Sequence, residues 1–263
     1  MRQGDHRLYG FLPETQKMDV AHWLSLAKAE AQRVQEQGKR PIFCGGTGFY
    51  LKALEEGLSP IPAVDRAVEK QAEARLADLG LAAFEAEVFD ADPDLRGQFA
   101  ARDRQRLLRA WSLWQGTGQG LSTWQARPKR GGLGALQNFT LLPDRQALYA
   151  RIDQRFARML HAGAAGEVRA VIDRARVQGR DPGSLPLAQA LGFKELMAVE
   201  RGACSDSVAQ GEACKASRNY AKRQLTWGRN QRQSAIKLPY KPVNEQEIEK
   251  ISDIIVAFMS QRT

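Results

Sequence analysis

Pro41-Ile42-Phe43-Cys44-Gly45-Gly46-Thr47-Gly48-Phe49-Tyr50-Leu51-Lys52-Ala53-Leu54 is the stretch on which the reading of the fold turns. Four apolar-leaning residues rise into a Gly-Gly-Thr-Gly turn, and a helical pattern starts at once. This predicts a buried strand at Ile42-Phe43-Cys44, a glycine turn, and a helix from Phe49 to about Glu56. Glycines let the backbone pass close to a ligand, and a helix start offers free N–H groups to an anion. Thr47 adds a hydroxyl in the middle of this nest. By itself the pattern fits an anion site and a ligand-free β–α turn about equally well.

Working outward, Val20, Trp23, Leu24, Ala27, Ala31 and Val34 recur at helical spacing, so Asp19 to Gln37 reads as an amphipathic helix stopped by Gly38. Helix, strand, helix in this rhythm argues for an α/β domain with a parallel sheet. Gly57-Leu58-Ser59-Pro60-Ile61-Pro62 is a break. Beyond it the pattern turns helical over Asp65–Leu79, Ala82–Phe89 and Asp103–Gly116, with a turn at Asp92-Pro93. The reading is an inserted all-helical lobe at 58–116, with an α/β core built from 1–57 and 117–263. Thr117 to Gly134 is a Gly-rich basic loop. Asn138 to Leu142 is a strand ended by Pro143. Asp144 caps a helix to about His161, with Leu148, Ile152, Phe156 and Met159 as its buried row. A helix over Glu167–Gln178, a loop at Pro182–Pro186, a long basic helix from about Gly211 to Gln233 and a tail helix near Ile248–Phe258 complete the chain.

The 263 residues suffice for one large core with an appended lobe, and 43% hydrophobic content is ordinary for a globular protein. No stretch approaches the roughly 18 apolar residues of a membrane span, and Met1 to His6 has no apolar core of the signal-peptide kind. Cys44, Cys204 and Cys214 are too scattered for a disulfide framework or a metal set, so cytoplasm is the expected compartment and no metal site is predicted from them.

The formal charge of +9 points to a polyanionic partner. It is concentrated: Lys215, Arg218, Lys222, Arg223, Arg229, Arg232, Lys237 and Lys241 fall between Ala213 and Val243, where no Asp or Glu occurs. Such a run is either a solvated helix face or a phosphate-binding one, and the missing acids favour phosphate. Lys215, Arg218, Lys222 and Arg229 share one face, while Ala213, Ala216, Tyr220 and Trp227 form an apolar stripe. Tyr220 and Trp227 read as core before base-stacking platforms. Gly228 interrupts the run at a cost of about 1 kcal/mol and suggests a bend toward the ligand. On the helix from Asp103, Gln105, Arg106 and Arg109 lie within one turn, either as an exposed basic face or as contacts to phosphates and base edges.

Four ordered blocks resemble the tRNA dimethylallyltransferases (tRNA isopentenyltransferases, the IPP transferase family). The glycine run is similar to their Gly-Gly-Thr-Gly-Leu-Tyr signature, with Phe49 for the leucine. Asp103-Arg104-Gln105-Arg106-Leu107-Leu108-Arg109-Ala110, then Thr117-Gly118 and Ser122, resembles Asp-x-Gln-Arg…Arg-Ala…Thr-Gly…Ser. Gln189-Ala190-Leu191-Gly192-Phe193-Lys194-Glu195 is similar to a Val-Gly-Tyr-Arg-Gln segment, and Lys222-Arg223-Gln224-Leu225-Thr226-Trp227 to Lys-Arg-Gln-Leu-Thr-Trp. Arg102 stands where the family usually has asparagine.

The resemblance implies transfer of a dimethylallyl group from dimethylallyl diphosphate to N6 of the adenosine beside the anticodon. It implies diphosphate binding by Gly45, Gly46, Thr47, Gly48 and Arg223, with Thr47 as the catalytic candidate. It implies tRNA contacts from Thr47, Gln105, Arg106, Leu107, Leu108, Arg109, Gln189, Gly192, Phe193, Lys194, Lys222, Arg223, Gln224, Thr226, Trp227 and Arg229. A P-loop-NTPase-like parallel sheet, ATP binding, Mg²⁺ and a monomer acting on the tRNA anticodon stem-loop follow from it too.

The family's Gly-Pro-Thr-x-Ser-Gly-Lys-Thr loop and Ser-x-Asp-Ser segment do not occur in the 263 residues. The pattern is joined only at Asp5-His6-Arg7-Leu8-Tyr9. The sequence is therefore expected to lack an N-terminal strand–P-loop–helix–strand unit, the ligands for Mg²⁺ and the amine-serving aspartate, to expose apolar surface where that unit would pack, and to transfer nothing by itself. Three functions are open: the transferase, a tRNA-binding protein without catalysis, and a phosphotransferase relative acting on a small substrate, which the lack of a P-loop lysine disfavours.

Overall fold

The computed structural model describes residues 6–99, 102–230 and 236–240. It divides into two compact units, residues 1–49 with 136–263, and residues 50–135. The division falls inside helix α2 (Gly48–Glu56). The predicted tail helix, Arg232 and Lys241 lie outside the described residues.

The second unit is helical. Asp65 caps α3 (Arg66–Ala91) by accepting from Ala67 N–H at 2.7 Å. Gly80, at φ 72° and ψ 164°, breaks that helix where the sequence predicts one segment to end and the next to begin. Helices α4 (Arg104–Thr117) and α5 (Leu121–Ala126) follow. Phe84, Leu95, Leu107 and Leu113 are wholly buried between them, with Trp111 against Phe84. Glu87 accepts from Trp111 Nε1 at 2.8 Å and pairs with Arg75 Nη2 at 2.8 Å. Hydrogen bonds from Arg75 and then Trp111 hold its carboxyl below the usual carboxylate range.

The lobe is wider than the predicted 58–116, and the reason is backbone pairing. Leu58 and Arg130 form an antiparallel bridge, and Leu133 N–H donates to Leu54 O at 2.7 Å. The Gly-rich loop thus closes the base of the helical unit. Asp92, buried, accepts from Ser122 N–H at 2.9 Å and from its hydroxyl, which seats the unpredicted helix α5.

Arg102 has φ 61°, in the left-handed region that asparagine tolerates better than arginine. Arg102→Asn is expected to raise stability by up to about 1 kcal/mol, read as a melting temperature a few degrees higher. An unchanged or lower value would contradict the strain.

The first unit is α/β. Its strands β1 (Phe139–Pro143) and β2 (Ile236–Tyr240) run parallel in register from Phe139↔Ile236 to Pro143↔Tyr240. A parallel pair needs a long crossover. Here it comprises α6 (Arg145–His161), α7 (Ala164–Val177), α8 (Phe193–Glu200) and α9 (Asp206–Asn230). The predicted strand at Ile42-Phe43-Cys44 does not form. No ladder joins it to another strand among the described residues, Ile42 is 64% exposed and Cys44 is exposed. Apolar composition makes a segment eligible for a strand; only a neighbour with free N–H and C=O groups makes it one.

Asp19 caps α1 (Val20–Glu36), whose Leu24, Ala27 and Ala31 are buried. Arg7 pairs with Glu30 on α1 at 2.8 Å, and Glu14 with Arg174 on α7 at 2.6 Å, which fastens the N-terminal segment. Val171, Ile172, Phe193, Leu196 and Met197 form the α7–α8 core, and Arg169 grips Glu200 with two hydrogen bonds of 2.8 Å. Asp144 caps α6 as predicted, but of its expected buried row only Phe156 is fully covered, by Ala213 and Cys214 of α9. Burial pushes the Cys214 thiol up, assisted by the Asp153 charge. A thiol so held is an inert packing group.

Helix α9 runs unbroken through Gly228, so the predicted bend is absent. A Cβ on Gly228 would sit 3.0 Å from Thr140 Cγ2. The glycine serves a close helix–strand approach instead. Among the described residues no helix is long and apolar enough to cross a membrane.

Candidate functional site: a glycine turn seated on a basic helix

Tyr220, Gln224 and Trp227 recur at helical spacing on α9 and share one face. The Gly45–Gly48 turn lies on that face. A Cβ on Gly46 would fall 2.1 Å from Gln224 Nε2, and one on Gly48 would fall 2.1 Å from Trp227 Cδ2. Between them the Thr47 hydroxyl is 3.2 Å from the Tyr220 hydroxyl. Gly48 is therefore required by proximity to a rigid indole, Gly46 lies close to a flexible amide, and Thr47 is placed by a partner 173 residues away. Gly45 has open space where a side chain would start.

Arg223, exposed, lies over the Tyr220 ring at 5.6 Å from its centroid. Lys222 beside it is exposed too. Among the described residues no carboxylate forms a hydrogen bond or ion pair with Thr47, Tyr220, Lys222, Arg223 or Arg229. That leaves a local excess of positive charge where the glycine turn and the first N–H groups of α2 meet α9. Backbone donors and an uncompensated guanidinium suit a phosphate or diphosphate.

The rest of the basic run is less open than its sequence suggests. Lys215 pairs with Glu212 at 3.2 Å, and Arg218 with Asp153 of α6 at 2.9 Å. Lys237 donates to the Arg229 carbonyl at 3.3 Å. Thr226 turns its hydroxyl back to the Lys222 carbonyl at 3.0 Å. Acids absent from the sequence window are supplied by the preceding turn and by a neighbouring helix.

In the Gln189–Glu195 segment, Gln189 and Lys194 are exposed, with Lys194 Nζ at 3.5 Å from Gln189 Oε1, whereas Gly192 and Phe193 are buried. Within the helical unit, Gln105 and Arg106 face solvent at the start of α4. Arg106 pairs with Asp103 at 3.3 Å and lies over Phe99. Arg109 donates to the Pro62 carbonyl at 3.2 Å, Leu107 is 0% exposed and Leu108 packs on the core. Phe193, Leu107, Leu108 and Arg109 thus hold their elements in place; of the candidate contact residues in these blocks, Gln105, Arg106, Gln189 and Lys194 reach outward. Residues 50–135 hold twelve basic and twelve acidic side chains, so the whole formal excess of +9 belongs to the α/β unit.

Tyr220 is the residue whose role the sequence reading placed elsewhere. Its spacing to Gln224 and Trp227 was visible, but the partner that makes it part of a site is distant in sequence. Among the described residues no group of three or more His, Cys, Asp or Glu side chains could hold a metal ion. The described residues thus offer no protein cage for the Mg²⁺ that the resemblance implies.

A turn of this kind on a basic helix, in a unit that carries the chain's whole positive excess, has the chemistry that suits a phosphate-bearing partner. The IPP transferase sequence profile matches residues 1–231, and the chain belongs to that family. It is 44% identical over 228 residues to the tRNA dimethylallyltransferase of Rhodospirillum centenum, covering 86% of this chain and 71% of that protein. It is 40% identical over 237 residues to that of Paramagnetospirillum magneticum, covering 90% and 74%. In structure it is similar to a tRNA isopentenylpyrophosphate transferase from Bacillus halodurans, with a TM-score of 0.64, 24% identity, and 97% and 78% of the two chains covered. A eukaryotic dimethylallyltransferase acting on tRNA gives a TM-score of 0.72 at 19% identity, covering 95% and 64%. These two likenesses establish the fold.

Proposed function

We propose that this protein is a tRNA dimethylallyltransferase that alkylates N6 of the adenosine beside the anticodon. The observation that carries the reading is the seat of the Gly45–Gly48 turn on the Tyr220, Gln224 and Trp227 face, beside Lys222 and Arg223, which pair with no carboxylate among the described residues. In the reaction, the N6–C1 bond forms as the bond from C1 to the diphosphate oxygen breaks. Diphosphate leaves and the amine gives up a proton. Negative charge grows on the leaving group, so preorganised donors there lower the barrier most. The N–H groups of Gly48 and Phe49, the Thr47 hydroxyl and Arg223 are those donors. Mg²⁺ enters this proposal only as a companion of the donor's own phosphates, which is how it commonly binds. The adenine must leave the loop stack to reach C1.

Lys222, Arg223 and Arg229 on α9, with Gln105 and Arg106 on α4, contact the phosphates and bases of the anticodon stem-loop. The protein acts as a cytoplasmic monomer. The P-loop-like sheet implied by the resemblance is the expected frame for the reaction, with β1 and β2 as two of its strands.

The test is to incubate the protein with dimethylallyl diphosphate, Mg²⁺ and unmodified tRNA, and to look for the mass of one dimethylallyl group on the adenosine. Transfer there supports the proposal. Tight stem-loop binding without transfer favours the non-catalytic tRNA-binding alternative. Neither binding nor transfer contradicts both.

A further inference from the structure

The face of α9 that carries the glycine turn also fixes which way the Thr47 hydroxyl can point. Thr47 Oγ1 and Tyr220 Oη are 3.2 Å apart, and one hydroxyl must donate to the other. A phenol is a stronger acid than an aliphatic alcohol and is therefore the better donor of the pair. With Tyr220 donating to one of its lone pairs, Thr47 keeps its own proton to give elsewhere. Gly45 leaves room for that: no heavy atom lies within 4 Å of where its Cβ would be. The same phenol ring lies beneath Arg223, whose carbon Cζ is 5.6 Å from the ring centroid. A single side chain thus touches both groups assigned to the donor's diphosphate.

We propose that Tyr220 is a positioning residue of the diphosphate site: its hydroxyl donates to Thr47 Oγ1, so that Thr47 presents its proton to the diphosphate, and its ring supports the Arg223 guanidinium above the same oxygens. This deepens, and rests on, the transferase reading. The geometry predicts that the two hydroxyls act as one unit. Removing either loses the same outward hydrogen bond, because a Thr47 hydroxyl without its phenol partner is free to rotate away. It also separates the hydroxyl from the ring. Tyr220→Phe keeps the stacking surface under Arg223 and the packing of the turn, and so removes only the orienting donor.

The test is the binding of inorganic diphosphate to the full chain by calorimetry, for the wild type, Tyr220→Phe, Thr47→Ala and the double variant, with melting temperatures alongside. The expected result is that each single variant binds roughly tenfold more weakly, the size of one charge-assisted hydrogen bond. The double variant should be no weaker than either single one. Additive losses, or a Tyr220→Phe affinity equal to wild type, overturn the proposal while leaving the diphosphate site standing. No binding by the wild type defeats the site itself, and with it the transferase reading. If Tyr220→Phe melts well below the wild type, Thr47→Ser and Thr47→Val decide in its place. The serine should keep the affinity and the isosteric valine lose it; a valine variant that binds as well as wild type overturns the proposal.

Discussion

Gly48→Ala is expected to lower the melting temperature by several degrees and to abolish diphosphate binding together. The added Cβ would lie 2.1 Å from Trp227 Cδ2 and 2.2 Å from Cε2. That is far inside contact distance, and an indole is rigid, so it has no flexible end to swing away. Either the indole leaves its place against the turn or the turn lifts from α9. Overpacking of this sort costs about 1–3 kcal/mol. Gly46→Ala is the internal control. Its Cβ would meet Gln224 at a similar distance, but at the amide end of a flexible side chain. The side chain can rotate, so the thermal loss should be much smaller. Calorimetric melts of the two variants read the difference directly. Equal losses would mean that the turn is not held by the indole.

Thr47→Ala should show the opposite signature, a large kinetic loss without a thermal one. Thr47 is exposed, and its side-chain partner among the described residues is the Tyr220 hydroxyl at 3.2 Å. Little packing is lost with it. Loss of one preorganised donor to a developing anion lowers rates by roughly 10²-fold. In an enzyme that also carries the P-loop unit, the expected outcome is a fall of that order in the single-turnover rate of dimethylallyl transfer to tRNA, at a melting temperature within about a degree of wild type. A threonine that served only the fold would lower the melting temperature and leave the rate of the folded fraction unchanged.

The two variants differ because neighbouring residues in one signature do different work, and that contrast marks what the sequence could and could not convey. Local signals read well. The helix over Val20–Glu36, the break at Gly80 and the Asp144 cap depend on residues within a few positions of one another. Pairing over long separations did not read. Ile42-Phe43-Cys44 has the composition of a strand and finds no strand beside it among the described residues. β2 was missed because Pro239 argues against a strand, although Ile236, Lys237 and Leu238 pair with Phe139, Thr140 and Leu141.

Charge pairing over long separations was no more legible. Asp153, 65 residues before Arg218, neutralises an arginine that looks unpaired in sequence. Within the Gln105–Arg109 block the resemblance implies a tRNA contact from every residue alike. The helical period sorts them: Leu107 points into the core and Gln105 and Arg106 away from it. The blocks were legible as blocks; which of their members touch a ligand depends on the faces they occupy.

If the α/β unit meets the anticodon arm of tRNA through Lys222, Arg223 and Arg229 of α9, as proposed, these side chains should set both the preference for that arm and its salt dependence. The most direct measurement is the salt dependence of binding for a tRNA anticodon stem-loop and for a random DNA duplex of equal length, repeated with Lys222→Ala, Arg223→Ala and Arg229→Ala. The predicted result is a stem-loop preference of at least about tenfold near 0.15 M salt, with affinity falling steeply as salt rises through counterion release. Each substitution should reduce the magnitude of the logarithmic salt slope by about one. Equal affinity for stem-loop and duplex, or salt slopes that none of the three substitutions changes, would contradict it.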